Sequence, residues 1–365
     1  MIFDLAIIGA GVVGLSIAKS CSELGMSVLV LEQETRSGEG ISSRNSGVIH
    51  AGIFYPTGSL KSKLCVEGNE MLYEYALKKN ISCKKIGKYV IASEDRELDK
   101  LRQIYNQGNL NGAILTMCSK DEITAFHPDL RLAGAMYSPQ SGIIDVPELI
   151  TALEGDIQHN KGIISLNTKF ISAEKLNDHF KISCNDGNDF DIKAKGLVNS
   201  SGLASEVNSR KIHSLDSKYN YPVFFAKGHY FKYSGNHPFS SLIYPLADEF
   251  SQGIHVGFDM SGQLKFGPDI NWVDDLDYSF DESVKDNFIK SIHKYWPSMD
   301  PNKLQPDYVG IRPKIQNRNG RMRDFSILDS KDHGVDGLIN LQGIESPGVT
   351  SCLALGTHVA SAILR

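Results

Sequence analysis

The fold is decided by the stretch Asp4-Leu5-Ala6-Ile7-Ile8-Gly9-Ala10-Gly11-Val12-Val13-Gly14. An apolar run leads into a turn with glycine at positions 9, 11 and 14, and a helical pattern of apolar residues follows to Leu24. Gly25 ends that helix, and residues 27–32 form a second apolar run with an acid at its end. The order strand, glycine turn, helix and strand predicts a βαβ unit that binds a dinucleotide.

Each residue of this turn has a predicted task. Gly9 permits the tight turn, Gly11 lets the backbone approach a pyrophosphate, and Gly14 lets helix and strand pack closely. Val13 lies at the helix N-terminus, where free N–H groups attract phosphates. Glu32 is placed to accept hydrogen bonds from ribose hydroxyls. The alternative is a glycine-rich turn without a ligand, followed by an unrelated glutamate. The position of the turn between a strand and a helix, with an acid at the end of the next strand, favours dinucleotide binding.

The number and spacing of the glycine motifs favour FAD over NAD. The fingerprint occurs once, because Gly38 and Gly40 are not followed by a glycine at position 43. A flavoenzyme that takes electrons from a nicotinamide cofactor through its own domain usually needs a second dinucleotide fold. Further glycine-rich segments at 37–52, 196–202 and 343–350 favour one long, extended dinucleotide that touches several parts of the chain.

Length and composition limit the class of protein. The chain has 365 residues, 41% hydrophobic and 22% charged, which is enough to bury a core and indicates more than one domain. A net charge of −5 without a basic run argues against nucleic-acid binding, and no apolar run reaches the roughly 18 residues of a transmembrane helix. No signal or transit peptide is expected, and the six cysteines form no Cys-x-x-Cys pair. We expect a cytoplasmic protein with reduced thiols and no metal site.

The rest of the chain predicts a mixed fold, α/β in its nucleotide-binding part and α+β overall. Helices are predicted over 59–79, 95–107, 120–126, 146–160, 281–295 and from 351 to 365. Strands are predicted over 86–92, 163–191, 196–202, 307–315, 325–328 and 337–341, and antiparallel strands over 221–266. We predict a Rossmann-like FAD-binding domain from residues 1–80, 145–212 and 320–365, with an inserted, mostly antiparallel substrate-binding domain from 81–144 and 213–319.

One segment resembles a known family: Ser42-Ser43-Arg44-Asn45-Ser46-Gly47-Val48-Ile49-His50-Ala51-Gly52-Ile53-Phe54-Tyr55. It is similar to the flavin-approach loop of the L-2-hydroxyglutarate dehydrogenase/oxidase family, within the D-amino-acid-oxidase and glycine-oxidase superfamily. The N-S-G-V-I-H-x-G-I-x-Y run is specific to that subgroup, whereas the glycine motif is shared by the superfamily. The resemblance continues over nearly the whole chain, at residues 59–68, 243–245, 253–256, 266–268, 310–313 and 343–348.

The resemblance implies FAD as cofactor, a 2-hydroxy dicarboxylate as substrate and a 2-oxo acid as product. Hydride transfer to flavin N5 is the implied chemistry, with L-2-hydroxyglutarate as the implied substrate. Beyond the first βαβ unit, the cofactor-binding residues implied are Ser43, Arg44, Asn45, Ser46, Ser201, Gly202, Gly343, Pro347, Gly348, Val349 and Thr350. The helix that begins near Gly348 and Thr350 would point its N-terminus at the flavin, unless Thr350 is a plain helix cap.

Oxidation of an alcohol also needs a base and a cation that holds the carboxylate. Histidine suits the base because its pKa lies near working pH, and His50 and His255 are the first candidates. His229 is a further candidate, for which an ordinary core role is the alternative. Arg312 is the best carboxylate anchor, because its planar guanidinium makes two parallel hydrogen bonds. An ordinary salt bridge is the alternative for Arg312.

Weaker candidates complete the predicted substrate site. Lys227 is a second cation, and Arg44 is a third that lies along the flavin in an alternative interpretation. Tyr55 and Tyr244 hydrogen-bond a carboxylate or only line the pocket.

Three functions are left open by these residues. The first is an FAD-dependent 2-hydroxy-acid dehydrogenase or oxidase, and the second is an amine oxidase of the glycine- or sarcosine-oxidase type, which needs no protein base. The third is a flavin-binding module without turnover, whose pocket in front of the flavin would be filled by side chains. The electron acceptor is a quinone, oxygen or an electron-transfer protein, and a quinone would require peripheral contact with the inner face of the membrane.

Overall fold

The computed structural model describes residues 2–246 and 253–364. Residues 247–252, which belong to the predicted antiparallel region, and Arg365, the predicted end of the last helix, lie outside the described residues. In the part of the chain that is described, no helix has the length and apolarity needed to span a bilayer.

Twenty strands are observed in the described ranges. In chain order they are β1 Phe3–Ile8, β2 Val28–Leu31, β3 Val48–Ile49, β4 Cys83–Lys84, β5 Lys88–Ala92, β6 Thr116–Cys118, β7 Gly134–Ser138, β8 Gly142–Ile144, β9 Ile163–Ser165, β10 Lys169–Lys175, β11 Phe180–Asn185, β12 Asp189–Asn199, β13 Phe224–Tyr233, β14 Leu242–Pro245, β15 Val256–Phe258, β16 Leu264–Phe266, β17 Asn271–Val273, β18 Leu304–Lys314, β19 Ser326–Leu328 and β20 Leu338–Gln342. Strands β3, β4, β6, β7, β8 and β17 were not predicted.

Nine α-helices accompany these strands within the same ranges. They are α1 Val12–Glu23, α2 Leu60–Lys79, α3 Leu98–Leu110, α4 Lys120–Phe126, α5 Val146–His159, α6 Ser205–Arg210, α7 Lys285–Tyr295, α8 Ser330–His333 and α9 Gly348–Ile363. The helices predicted at 59–79, 120–126 and 146–160 are confirmed to within one residue. Those predicted at 95–107 and 281–295 each open with a short 3₁₀ turn.

Side-chain caps explain where two of the predicted helices begin. The hydroxyl of Ser59 accepts a hydrogen bond from the N–H of Ser62 at the start of α2. The carboxylate of Asp145 does the same for Glu148 at the start of α5, with Pro147 in the first turn. Helix α2 ends at Asn80, whose left-handed φ of 55° stops the helical repeat.

The first sheet is the nucleotide-binding type that the glycine turn predicts. Its parallel strands lie in the order β9-β2-β1-β12-β20, and β19 pairs antiparallel with β20. Strand β12 is long and also pairs antiparallel with β11, which in turn pairs antiparallel with β10. Apolar residues of α1, α2, α5 and α9 pack together in one cluster with the inner side chains of this sheet. The predicted mixed α/β class with a Rossmann-like part is confirmed.

The second sheet has nine strands, in the order β17-β13-β16-β15-β14-β5-β7-β6, with β18 paired to β13. Most neighbours are antiparallel, as predicted for residues 221–266. Strand β14 is the exception, because it runs parallel to β5 with Tyr244 beside Val90. A third, small sheet has the order β3-β8-β4.

The two large sheets draw their strands from alternating parts of the chain. The first sheet uses strands between residues 3 and 31, 163 and 199, and 326 and 342, and the second uses strands between 88 and 138 and between 224 and 314. The division into domains at residues 80, 144, 212 and 319 stays a prediction. One large cavity is lined by residues of both sheets.

Candidate active site

The glycine turn is shaped by what surrounds each missing side chain. Gly9 has a φ of +99°, and a Cβ there would lie 3.0 Å from the carbonyl oxygen of Ser200. A Cβ on Gly14 would collide with the carbonyl oxygen of Gly9 and lie 2.7 Å from Ser200 Oγ, so this glycine serves the packing of helix on strand. A Cβ on Gly11 would meet only Ser42 Oγ, at 3.2 Å, so the space beside this residue is open toward the cavity.

The acid at the end of β2 is fixed before any ligand binds. Glu32 Oε2 accepts a hydrogen bond of 2.8 Å from the N–H of Ala10, and Oε1 accepts one of 3.0 Å from the N–H of Glu34. The carboxylate lines the cavity beside the glycine turn. It is therefore held where a ribose hydroxyl can donate to it.

The cavity has a volume of about 740 Å³ and runs from Glu32 past the start of α1 to Arg312. This volume lies within the range of cofactor sites. The predicted cofactor residues on its wall are Gly9, Gly11, Val13, Glu32, Arg44, Asn45, Ser46, Ser201, Gly202, Gly343, Pro347, Gly348, Val349 and Thr350. These residues come from three remote parts of the chain. An open glycine cradle, a fixed acid and a long cavity together fit an extended dinucleotide.

Besides His229, which is described below, four predicted residues do not reach the wall of the cavity. Gly14 packs inside the βαβ unit, and the hydroxyl of Ser43 turns away to donate to the carbonyls of Glu39 and Gly40. Tyr55 is buried behind the wall, with its hydroxyl 3.3 Å from Ser346 Oγ. Lys227 is the fourth, and its partner is described below.

The neighbour Ser42 takes the position that the sequence assigned to Ser43. Its hydroxyl accepts a 3.1 Å hydrogen bond from the N–H of Val12, at the start of α1, and it lines the cavity. The chain makes a 3₁₀ turn over Ile41–Ser43, and this turn decides which of the two serines points inward. Ser200, Tyr230 and Ser346 were also missed, although all three line the cavity.

Two of the predicted histidines meet at one end of the cavity. His50 and His255 both line it, together with Tyr244. The rings of Tyr244 and His255 are stacked, with centroids 3.7 Å apart and planes 6° from parallel. The His50 ring stands edge-on to Tyr244 at 6.5 Å. The sequence predicted that His255 lies on a strand, but it directly precedes β15.

Burial and nearby positive charge keep both imidazoles neutral. Burial lowers the pKa of His50 well below its usual value, and Lys88 and His255 lower it further. Burial also lowers the pKa of His255 to about 3, with further contributions from Lys88 and Arg312. A neutral imidazole is the form that accepts a proton. An anion bound beside Arg312 would cancel one of these charges and raise the pKa of His255.

His50 is held in place from the side of the last helix. Its backbone N–H donates to Thr350 Oγ1 at 3.0 Å, and Thr350 donates in turn to the carbonyl of Val48. The Nε2 atom of His50 lies 3.4 Å from Ser346 Oγ. Helix α9 begins at Gly348 with Pro347 as its N-cap, so Thr350 lies inside the first turn and is not a plain helix cap.

Arg312 presents an unpaired positive charge to the cavity. Its guanidinium donates to the backbone carbonyls of Asp269, at 2.6 Å, and Ala226, at 3.4 Å. It lines the cavity and forms no ion pair with a carboxylate among the described residues. The ordinary salt bridge that the sequence left open is therefore absent from the described part of the chain. A cation held from behind by carbonyls is available to an anionic ligand.

The other predicted cations have different surroundings. Arg44 lines the cavity with its guanidinium 4.6 Å from the centre of the Tyr278 ring. Lys227 is buried and forms an ion pair with Asp277, at 2.9 Å, so it is not at the substrate end of the cavity. His229, on the same face of β13, pairs with Asp269 through Nδ1 at 3.1 Å and is also outside the cavity wall.

A buried triad of charges secures the loop before α9. Glu345 accepts hydrogen bonds from Lys61 Nζ at 2.9 Å and from Lys314 Nζ at 2.6 Å. Burial raises the pKa of Glu345 but the two ammonium groups outweigh it, and the net direction is downward. The triad joins α2, β18 and the loop that carries Ser346, and so fixes this wall of the cavity.

Known proteins resemble the chain over its whole length. A model of the FAD-dependent oxidoreductase family, DAO, matches residues 4–362. The mitochondrial L-2-hydroxyglutarate dehydrogenase of Arabidopsis thaliana is 36% identical over 99% of this chain and 83% of that protein. A glycerol 3-phosphate dehydrogenase of Caloramator mitchellensis is 31% identical over 98% of this chain and 73% of that protein.

Two solved structures share the fold. The L-α-glycerophosphate oxidase of Mycoplasma pneumoniae with FAD bound has a TM-score of 0.88 at 21% identity, covering 100% of this chain and 95% of that chain. The glycine oxidase of Geobacillus kaustophilus has a TM-score of 0.83 at 20% identity, with the same coverage. The glycine cradle, the fixed acid and these matches define a flavin-dependent oxidoreductase that acts on a small molecule. The chain belongs to the FAD-dependent oxidoreductase family, and its cofactor is FAD.

Proposed function

We propose that this protein oxidises a 2-hydroxy acid to a 2-oxo acid, with L-2-hydroxyglutarate as substrate and 2-oxoglutarate as product. The observation that carries the proposal is the Arg312 guanidinium, which pairs with no carboxylate among the described residues and shares one end of the cavity with two neutral imidazoles. A cation for the carboxylate and a proton acceptor for the hydroxyl are what this reaction requires. The Arabidopsis relative named for the same substrate supports it.

The residues divide the work as follows. Bound FAD supplies the acceptor for the hydride. Arg312 holds the carboxylate next to the reacting carbon with two parallel hydrogen bonds, and its carbonyl partners keep the guanidinium oriented before substrate arrives. His255 or His50 accepts the hydroxyl proton on a ring nitrogen. Tyr244 and Tyr230 line this end of the cavity and limit the entry of water.

The rest of the cavity would hold the cofactor. Gly9, Gly11 and Val13 would face the pyrophosphate, and Glu32 would accept a hydrogen bond from the ribose. Gly348 and Thr350, at the N-terminus of α9, would hold the edge of the flavin ring, because the first N–H groups of a helix attract negative charge.

A second candidate substrate is glycerol 3-phosphate. It is favoured by the Caloramator relative, whose name specifies this substrate, and the same secondary-alcohol chemistry would use the same histidines. An amine-oxidase activity of the glycine-oxidase type remains the third candidate, and it would leave the two histidines without a proton to accept. A module without turnover is disfavoured, because His50, His255 and Arg312 line open space rather than fill it.

The electron acceptor and the location belong to the same proposal. We propose a cytoplasmic protein, which agrees with six cysteines that form no disulfide. Oxygen, an electron-transfer protein and a quinone are the candidate acceptors. A quinone would add contact with the inner face of the membrane.

Anaerobic reduction of the bound flavin tests the proposal without knowledge of the acceptor. The purified yellow protein is mixed in a stopped-flow instrument with L- and D-2-hydroxyglutarate, L-lactate, glycerol 3-phosphate, glycine and sarcosine. L-2-Hydroxyglutarate should bleach the flavin faster than L-lactate at equal concentration, since L-lactate keeps the carboxylate that Arg312 would hold but lacks the distal carboxylate of the proposed substrate. Faster bleaching by glycerol 3-phosphate would instead establish the second candidate, and bleaching by the amino acids alone would establish the third.

A further inference from the structure

A lysine that was not among the predicted site residues lies directly behind the reacting end of the cavity. Lys88 opens strand β5, and its side chain is 1% exposed. Its Nζ lies 3.9 Å from the centre of the Tyr244 ring. Tyr244 stands on the parallel neighbour strand β14, two residues beyond the position paired with Lys88.

The three side chains form a column. The imidazole of His255 stacks on Tyr244 at 3.7 Å, and Lys88 Nζ lies at nearly the same distance from the same ring. Both cannot occupy one face of the ring, so Lys88 is on one face and His255 is on the other. The ammonium is thus separated from the cavity by the tyrosine and the histidine that line it.

A buried ammonium needs a reason to be retained. Lys88 forms no ion pair with a carboxylate in the described part of the chain, and burial lowers its pKa to about 7, with the Cys65 thiol acting in the opposite direction. Contact with an aromatic face offsets only part of the lost hydration. A methionine of similar length would fill the same space without this penalty. The charge therefore has a use other than packing.

The groups that face Lys88 indicate what that use is. Cys65 approaches from α2, Tyr244 from β14, and the two imidazoles from the segments after β3 and before β15. Arg312, from β18, is the other cation that acts on His255. Among the described residues, Lys88 is the one cation whose charge lowers the pKa of both His50 and His255.

We propose that Lys88 is a positioning residue for the reaction: from behind Tyr244 it holds the Tyr244–His255 stack, and its charge adds to burial in disfavouring a cationic imidazole, so that the substrate's proton has an acceptor. This inference rests on the proposed function for its role in turnover, but the effect on the histidines holds for any substrate. Lys88 touches no reacting atom, so it acts through Tyr244 and His255.

The experiment compares Lys88→Met, which removes the charge, with Lys88→Arg, which keeps it and can stack on tyrosine. Lys84→Met is the matched control, because Lys84 is a nearby exposed lysine whose ammonium donates, within the described part of the chain, to the carbonyl of Met260. All variants are studied as FAD-loaded protein. If Lys88→Met does not fold, Lys88→Gln takes its place with the same readouts.

The first readout does not depend on turnover. The ring signals of isotopically labelled histidine are followed by NMR against pH, with His50 and His255 assigned through their Asn variants. With about 7 to 8 Å between ammonium and imidazole, loss of the charge should raise the pKa of His255 by about one to one and a half units, and Lys88→Arg should restore it.

The second readout is the pH profile of anaerobic flavin reduction. Its acid limb should move to higher pH by the same amount in Lys88→Met, and stay in place in Lys88→Arg and Lys84→Met. Histidine titrations and pH profiles that are unchanged in Lys88→Met would overturn the inference. A shifted histidine titration in a protein that no 2-hydroxy acid reduces would instead support it and refute the proposed function.

Discussion

Replacement of Arg312 by alanine isolates the interaction on which the proposed function depends. The guanidinium is held by two backbone carbonyls and by no described carboxylate, so its removal leaves no buried anion behind. Stability should therefore change little. A pair of charge-assisted hydrogen bonds to the substrate carboxylate contributes about 3 kcal/mol. Its loss should therefore raise the apparent dissociation constant in anaerobic flavin reduction about 10²-fold.

The assay is single-turnover reduction at several concentrations of L-2-hydroxyglutarate, from which the apparent dissociation constant and the limiting rate are separated. Arg312→Lys should recover only part of the loss, because an ammonium lacks the planar fork of the guanidinium. Lys227→Met is the control, since Lys227 pairs with Asp277 away from the cavity wall and should leave the constant nearly unchanged. An unchanged apparent dissociation constant in Arg312→Ala, or a much larger one in Lys227→Met, would refute the assignment of Arg312 as the carboxylate anchor.

Three further predictions follow from the site. Gly11→Val should fold but lose FAD, because its side chain enters the open cradle. Gly14→Val should instead destabilise the βαβ unit itself. Flavin absorbance and thermal unfolding distinguish these two outcomes. His255→Asn and His50→Asn should keep FAD, and the variant that lacks the base should reduce about 10²- to 10⁴-fold more slowly. The wild-type rate should rise with pH through a pKa below the ordinary histidine value of about 6.5, and a flat profile in all three proteins would favour the amine substrates. Glu345→Gln should lower the free energy of unfolding by about 3–5 kcal/mol in urea titrations, because two buried lysines lose their partner. This difference in unfolding free energy from wild type should become smaller as the pH falls through the lowered pKa of Glu345. An unchanged urea midpoint would contradict this prediction.

Long elements with a periodic apolar pattern could be predicted from the sequence. Very short strands, and the direction of side chains within strands, could not. The βαβ unit and helices α2, α4 and α5 follow from apolar spacing and from cap residues. Strands β6, β8 and β17 have three residues each, too few to show an alternation.

Strand β13 shows the same limit within the candidate site. Successive side chains of a strand point to opposite faces, so Gly228 and Tyr230 line the cavity while Lys227 and His229 face away from it. The sequence predicted the strand but contained nothing that selects its inner face. Lys88 was missed for a related reason, because it meets Tyr244 only through the parallel pairing of β5 with β14, where antiparallel strands were expected.

The hydrogen bond from His50 to Thr350 joins residues 300 positions apart, and the wall of the cavity ends with the first turn of α9. During synthesis the glycine cradle emerges long before the strand and helix that close the flavin end of the cavity. Until α9 has emerged, a nascent chain presents only part of the binding site, so complete cofactor binding must follow the synthesis of α9. Bound FAD would connect the segment of the glycine turn with α9, and limited proteolysis should distinguish the loaded protein from the empty one.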